Sequence, residues 1–199
     1  MELNYSENKI EFEKELNDLD RFVIDFTKIL NKLGIKYVIV SGYVAILFGR
    51  NRASEDVDML IEKMSFDKFK EFWTLLEEKF ECLNTSNFEE AYKDYLDSNT
   101  SLRFCYKEEY IPNMEIKFPK DDFDIWTMNN NIQVVLNENI FLISKIEPQI
   151  SYKLVLGSKK DIEDARFLYK MFKDKLEITL LQNFNRKFKK ESEFNKYIK

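Results

Sequence analysis

The stretch VSGYVAILFGRNRASEDVDMLI, residues 40–61, constrains this chain more than any other segment. Its last six residues are apolar except for Asp56 and Asp58, which stand one residue apart. A β-strand has a side-chain period of two, so both acids leave the sheet on the same face. Like charges held that close repel strongly unless a cation lies between them. Oxygen-only ligands of this kind suit Mg²⁺ or Mn²⁺. Upstream, the β-branched run 37–40 meets Gly42 and then the apolar segment 43–48, a strand–glycine–helix junction. Backbone N–H groups at such a junction can meet an anion. Gly42 is equally accounted for as a tight turn.

Composition narrows the alternatives. The chain has 199 residues, 44% hydrophobic and 15% aromatic, with 18 Phe and 10 Tyr, ample for a packed core. Four Gly and three Pro exclude a low-complexity chain. Histidine is absent, and Cys82 and Cys105 form no C-x-x-C pair. That removes most zinc sites, His-based triads and haem ligation. Both cysteines read as reduced core residues of a cytoplasmic protein. Residues 1–15 are acidic and lack the apolar segment of a secretory leader. No apolar run approaches the roughly 18–20 residues of a membrane span. The net charge of −5 argues against a generic nucleic-acid coat.

Periodicity places helices at 20–33, stopped by Gly34, at 43–48, at 66–79 behind a Ser65 cap, and at 88–96. Strands are expected at 37–40, 57–61, 80–83, 102–106, 114–118 and 132–136, with a turn near Pro112. Beyond Pro148 the pattern is helical: 150–156, a break at Gly157, then 161–172 and 176–188. The expected fold is therefore α/β (α+β), a short mixed sheet with flanking helices over residues 1–145 and a helical part over 146–199.

The pattern of apolar–Gly, about a dozen residues, then Asp–apolar–Asp–apolar resembles the signature of the DNA polymerase β-type nucleotidyltransferase superfamily. The arrangement SGYxAxxFG…RxSEDVDML is most similar to small prokaryotic nucleotidyltransferase-like proteins related to the AbiEii abortive-infection toxins. A second element, KLVLGSKKDIEDARFL at 153–168, is similar to that group's helical motif of a lysine followed by a basic–Asp–x–x–Asp unit. The resemblance implies transfer of a nucleoside monophosphate from an NTP to a hydroxyl, with Mg²⁺ or Mn²⁺ as cofactor. The acceptor it implies is an RNA such as tRNA, a protein side chain or a small molecule, and a toxin-like member would have an antitoxin partner.

Carried over residue by residue, Asp56 and Asp58 become metal ligands. Glu115, in MEIKF at 114–118, becomes the third acid from a neighbouring strand, although an acid there could also face water opposite Lys117. Ser41, Gly42 and Tyr43 fall at the phosphate turn. The family commonly has Gly-Ser where this chain has Gly42-Tyr43, so either Ser41 substitutes or backbone N–H groups serve alone. Arg52 fits a phosphate through its bidentate fork, Arg50 reads as a loop charge, and Ser54 fixes the loop. Lys153 becomes a phosphate or charge-relay partner, with Asp161 and Asp164 as orienting acids. Lys160 replaces the usual arginine and loses its fork. The same Lys160, Asp161 and Asp164 also fit a helix face with salt bridges. Tyr43 and Tyr152 are the aromatic residues nearest the motifs that could stack on a base. The basic run 186–190 fits either an RNA-steering patch or a helix end complementing its dipole. A non-catalytic binding module on the same fold is the alternative reading of the whole.

Overall fold

Residues 3–6 and 8–198 are described by the structure, a computed structural model. In chain order the strands are β1 (Asn4–Ser6), β2 (Lys9–Phe12), β3 (Tyr37–Val40), β4 (Asp56–Ile61), β5 (Phe80–Cys82), β6 (Leu102–Tyr106), β7 (Asn113–Lys117), β8 (Asn131–Leu136) and β9 (Asn139–Ser144). The helices are α1 (Asp18–Leu33), α2 (Gly42–Leu47), α3 (Phe66–Leu76), α4 (Phe88–Glu90), α5 (Asp122–Asn129), α6 (Ile146–Leu156), α7 (Lys159–Phe172), α8 (Ile178–Lys187) and α9 (Glu191–Tyr197). A π-helical segment, Ala91–Leu96, continues α4. The strands form one mixed sheet in the order β1-β2-β8-β9-β3-β4-β7-β6-β5.

One face of the sheet is aromatic. Phe22 and Phe26 of α1 are fully buried. Phe26 meets Phe72 of α3, Phe80 of β5 and Phe104 of β6 at centroid distances of 6.0, 5.3 and 6.0 Å. Each fully buried ring of this kind contributes roughly 1.5–3 kcal/mol. Helix α1 starts at a capping box in which Asn17 accepts from the Asp20 N–H and Asp20 accepts from the Asn17 N–H. It ends where Gly34 turns left-handed at φ 65°.

The strands alternate so that Val57, Met59 and Ile61 are buried while Asp56 is exposed and Asp58 half-buried. Helix α5 packs on the opposite face, against β3 and β4. Helix α2 is buried along its whole length and packs on β3, β4 and α7. The C-terminal helices thus reach the same core as the sheet, with Ile150, Leu154, Ala165 and Leu168 all buried in it.

Most expected elements stand within a few residues of their expected bounds. Helix α6 begins at Ile146 rather than 150, with Pro148 in its first turn, where no intrahelical donor is required. Five elements had no expectation: β1, β2, α5, β9 and α9. Helix α5 has almost no amphipathic pattern and is held by its cap, Asp121 accepting from the N–H groups of Phe123 and Asp124 at 2.9 and 2.8 Å. The β1–β2 pair is a short edge hairpin whose apolar residues are too few to announce it. Both cysteines are free thiols; Cys105 is buried and Cys82 half-buried. Among the described residues no helix is long and apolar enough to cross a membrane.

Candidate active site

Strand register decides which acids meet. Val40 of β3 pairs with Asp58, Asp58 pairs with Glu115 of the parallel strand β7, and Glu115 pairs with Arg103 of β6. Residues paired across a sheet share a face. Asp56 pairs with Asn113, so Asp56, Asp58, Asn113 and Glu115 all lie on the face away from α1. Burial raises the pKa of Asp58, and the charges of Asp56 and Glu115 raise it further. A hydrogen bond with Ser41 and the charge of Lys117 pull the other way. Asp58 therefore feels the other two acids as like charges in a partly dry place. Asn113 adds a buried Oδ1 with no hydrogen-bond partner beside Asp56.

This oxygen-only donor set fits a hard divalent cation at Asp56 and Asp58. The Glu115 carboxylate, although on the same face, is engaged elsewhere. Its Oε1 accepts from Ser101 Oγ at 2.9 Å, and its Oε2 accepts from Arg103 Nε at 2.9 Å and lies 2.8 Å from Arg103 Nη2. Among the described residues no three His, Cys, Asp or Glu side chains form a group able to hold a metal ion.

The turn that feeds α2 carries backbone strain. Ser41 has φ 61° and ψ −131°, a region that residues with a Cβ seldom occupy and that costs of order 1–3 kcal/mol. Its carbonyl accepts from Gln149 Nε2 of α6 at 2.5 Å, and Gln149 Oε1 in turn accepts from Ser144 Oγ. The turn is thus clamped from the C-terminal helices. Gly42 follows. A Cβ there would stand 2.2 Å from Arg52 Nη2 and 3.6 Å from Ser54 Oγ. The space a side chain would fill is therefore taken by a guanidinium. Arg52 Nε donates to Asp164 Oδ1 at 3.1 Å and its Nη1 donates to the Ala53 carbonyl at 3.1 Å, which aims Nη2 at the turn. Ser54 Oγ donates to the Asp56 carbonyl at 3.1 Å and to Asp56 Oδ1 at 3.3 Å. Gly42→Ala is expected to push the end of the Arg52 side chain aside at a cost of no more than about 1 kcal/mol, read from denaturant melts. A loss of several kcal/mol in Gly42→Ala would show that Arg52 is held rigidly over the turn.

The second motif forms a buried ion cluster. Lys153 Nζ lies 2.8 Å from Asp161 Oδ1 and 3.0 Å from Asp164 Oδ2, with all three side chains at least nine-tenths buried. Arg50 Nη2 meets Glu163 Oε2 at 2.6 Å, and Ser158 Oγ donates to Asp161 Oδ2 at 2.5 Å. Burial pushes the Asp161 carboxyl up, but hydrogen bonds from Lys153 and Ser158 and the Lys153 charge outweigh it, leaving the pKa below the ordinary value. Lys153, Asp161 and Asp164 thus reach the site through Arg52, which the cluster orients.

Other expected residues lie differently. Tyr43 is fully buried and donates its hydroxyl to Asp20 Oδ1 at 2.8 Å, because α2 turns that position into the core; its ring has no open face. Lys160 is exposed on the first turn of α7 and makes no ion pair among the described residues. Tyr152 is 39% exposed and stacks on Phe123 at 5.4 Å. Of the basic run, Lys187 lies over the rings of Phe123 and Phe184 at 5.8 and 5.9 Å, and Lys190 pairs with Glu193 at 2.9 Å. A cavity of about 50 Å³ lies beside the turn, lined by Val40, Ser41, Leu60, Lys117, Gln149 and Tyr152 among others. A larger hollow of about 380 Å³ beside Leu181 and Arg186 contains none of the motif residues.

Arg103, Ser101, Asn113 and Gln149 were missed by sequence reasoning. Arg103 was within reach of it, since pairing 102–106 with 113–117 as antiparallel neighbours sets a basic residue opposite Glu115.

Comparison with known proteins returns fold-level matches. No family model and no curated protein sequence matches the chain. Among solved structures, it is similar to an antigenic nucleotidyltransferase-like protein from Paracoccidioides brasiliensis, with a TM-score of 0.52 and 18% identity over 88% of this chain and 89% of that one. It is also similar to the antibiotic-resistance factor ANT(2'')-Ia, with a TM-score of 0.53 and 10% identity over 90% of this chain and 99% of that one. At such identities the match is one of fold: the chain has a nucleotidyltransferase-like α/β fold.

Proposed function

We propose that this protein is a divalent-metal-dependent nucleotidyltransferase that moves a nucleoside monophosphate from an NTP to a hydroxyl group. The observation that carries the reading is the register of three neighbouring strands, which sets Asp58 between Val40 and Glu115 with Asp56 on the same face. In this scheme Asp56 and Asp58 hold Mg²⁺ or Mn²⁺, which when bound acidifies the attacking hydroxyl and shields the triphosphate charge. Arg52 Nη2 and the α2 N-terminus at Gly42 receive the phosphates. Ser41, beside Asp58, favours the ionised carboxylate. Glu115, once released from Arg103, polarises the acceptor hydroxyl and takes its proton. The hydroxyl oxygen bonds to the α-phosphorus as the bond to the bridging oxygen breaks, and pyrophosphate leaves.

The names of the fold neighbours agree with nucleotidyl transfer. The resemblance to AbiEii-related proteins favours an RNA acceptor such as tRNA over a protein or a small molecule, together with an antitoxin partner. The test uses each NTP labelled at the α-phosphate, with Mg²⁺ and either total RNA, the protein itself or small-molecule hydroxyl compounds as acceptor. Wild type is expected to transfer label, and Asp56→Asn is expected to lose at least about a hundredfold of the rate. Absence of transfer to any acceptor, together with NTP binding that ignores Mg²⁺, overturns the proposal. A second reading, a non-catalytic module, draws on the Arg103–Glu115 pair, which keeps the third acid occupied; it predicts equal Mg²⁺ response in wild type and Asp58→Asn.

A further inference from the structure

Across β4, β7 and β6 the side chains Asp58, Glu115 and Arg103 form one row on one face. Neighbouring strands are about 4.8 Å apart, so the Arg103 backbone starts about 10 Å from that of Asp58, within an extended arginine's reach of the acids. In the structure Arg103 spends its fork on Glu115 instead. Ser101 holds the other oxygen. Both oxygens of the third acid are therefore bound by donors rather than turned toward Asp58. The pair is easily exchanged, because the Arg103 side chain is 52% exposed and water screens it. A guanidinium fork fits a phosphate as well as it fits a carboxylate.

We infer that Arg103 is a positioning residue that holds Glu115 away from the metal site and hands it over when a polyphosphate arrives, trading the carboxylate for a phosphate oxygen. The third ligand is then delivered only when nucleotide is present. Metal and nucleotide bind cooperatively as a result, each tightening the other by the same factor. The inference rests on the nucleotidyltransferase reading and adds an order of assembly to it.

The test measures Mn²⁺ affinity of the full chain by paramagnetic resonance or calorimetry, with and without an α,β-methylene NTP analogue. In wild type the analogue is expected to tighten Mn²⁺ at least about tenfold. Arg103→Gln is expected to bind Mn²⁺ alone about tenfold more tightly than wild type, with the gain from the analogue reduced to match. Arg103→Lys, which keeps the charge and loses the fork, is expected to fall between the two. Adding Glu115→Gln to Arg103→Gln is expected to erase the gain. Should Arg103→Gln fold poorly, Ser101→Ala loosens the same carboxylate and is expected to shift Mn²⁺ affinity in the same direction by a smaller factor. Unchanged or weaker Mn²⁺ binding in these variants, while Asp58→Asn abolishes it, overturns the role of Arg103 and leaves the metal site standing. Wild-type Mn²⁺ binding in Asp58→Asn overturns the underlying reading instead.

Discussion

Asp58→Asn is expected to reduce nucleotidyl transfer by roughly a thousandfold, the rate equivalent of the several kcal/mol that a bound cation contributes. The same substitution is expected to raise the unfolding free energy at neutral pH in the absence of metal. The two effects have one cause. Burial, followed by the charges of Asp56 and Glu115, lifts the Asp58 pKa above its unfolded value. An acid whose folded pKa is raised holds its proton more tightly when folded, so wild-type stability increases as pH falls through the folded pKa toward the unfolded value of about 3.9. Above that window the ionised Asp58 is a standing cost, which asparagine removes. Melting curves from pH 7 down to about pH 4 should therefore start with Asp58→Asn the more stable and end with the gap narrowed. Saturating Mg²⁺ should raise the wild-type midpoint and leave Asp58→Asn unmoved. A variant less stable than wild type at pH 7 without metal would show that Asp58 supports the fold rather than straining it.

The second large effect is on stability. Asp164→Ala is expected to cost about 3–5 kcal/mol, measured by urea unfolding. Asp164 is wholly buried and faces Lys153 at 3.0 Å and Arg52 at 3.1 Å. Removing it leaves those cations with too few acceptors, and an uncompensated buried charge is far worse than the lost pair. Arg52 also loses the anchor that aims it at Gly42, so NTP binding is expected to weaken in parallel. Lys160→Ala, at an exposed neighbour, is expected to change stability by no more than about 0.5 kcal/mol. The Asp161 carboxyl contributes to the acid limb. Its pKa is depressed, so its contribution is complete above the unfolded pKa and is lost as pH falls below that value through the folded one. A loss near zero in Asp164→Ala would mean that the cluster is open to water.

Sequence periodicity located the strand–glycine–helix junction and the strand carrying both aspartates because each rests on short-range rules: β-branched runs, a period of two, and turn chemistry near Gly42. The resemblance marked residues 153–168 as a unit. Helical spacing left open whether Lys160, Asp161 and Asp164 form an exposed face, since it does not say what lies opposite; packing of α7 against α6 and α2 buried Asp161 and Asp164 and left Lys160 exposed. Tyr43 was placed beside the nucleotide by its position next to Gly42, and the direction of α2 turned it into the core. Strand β2 escaped notice because its partner β8 lies far away in sequence, and α5 because it has almost no amphipathic period and rests on its cap.

What the sequence determined by itself is the pair of carboxylates on one strand face close to a strand–glycine–helix turn, because both follow from backbone geometry over about twenty residues. What only the tertiary structure decided is the fate of Glu115, Arg103 and Arg52. Their partners lie on other strands or on α7, and long flexible side chains settle on whichever opposite charge the register and the packing bring within reach.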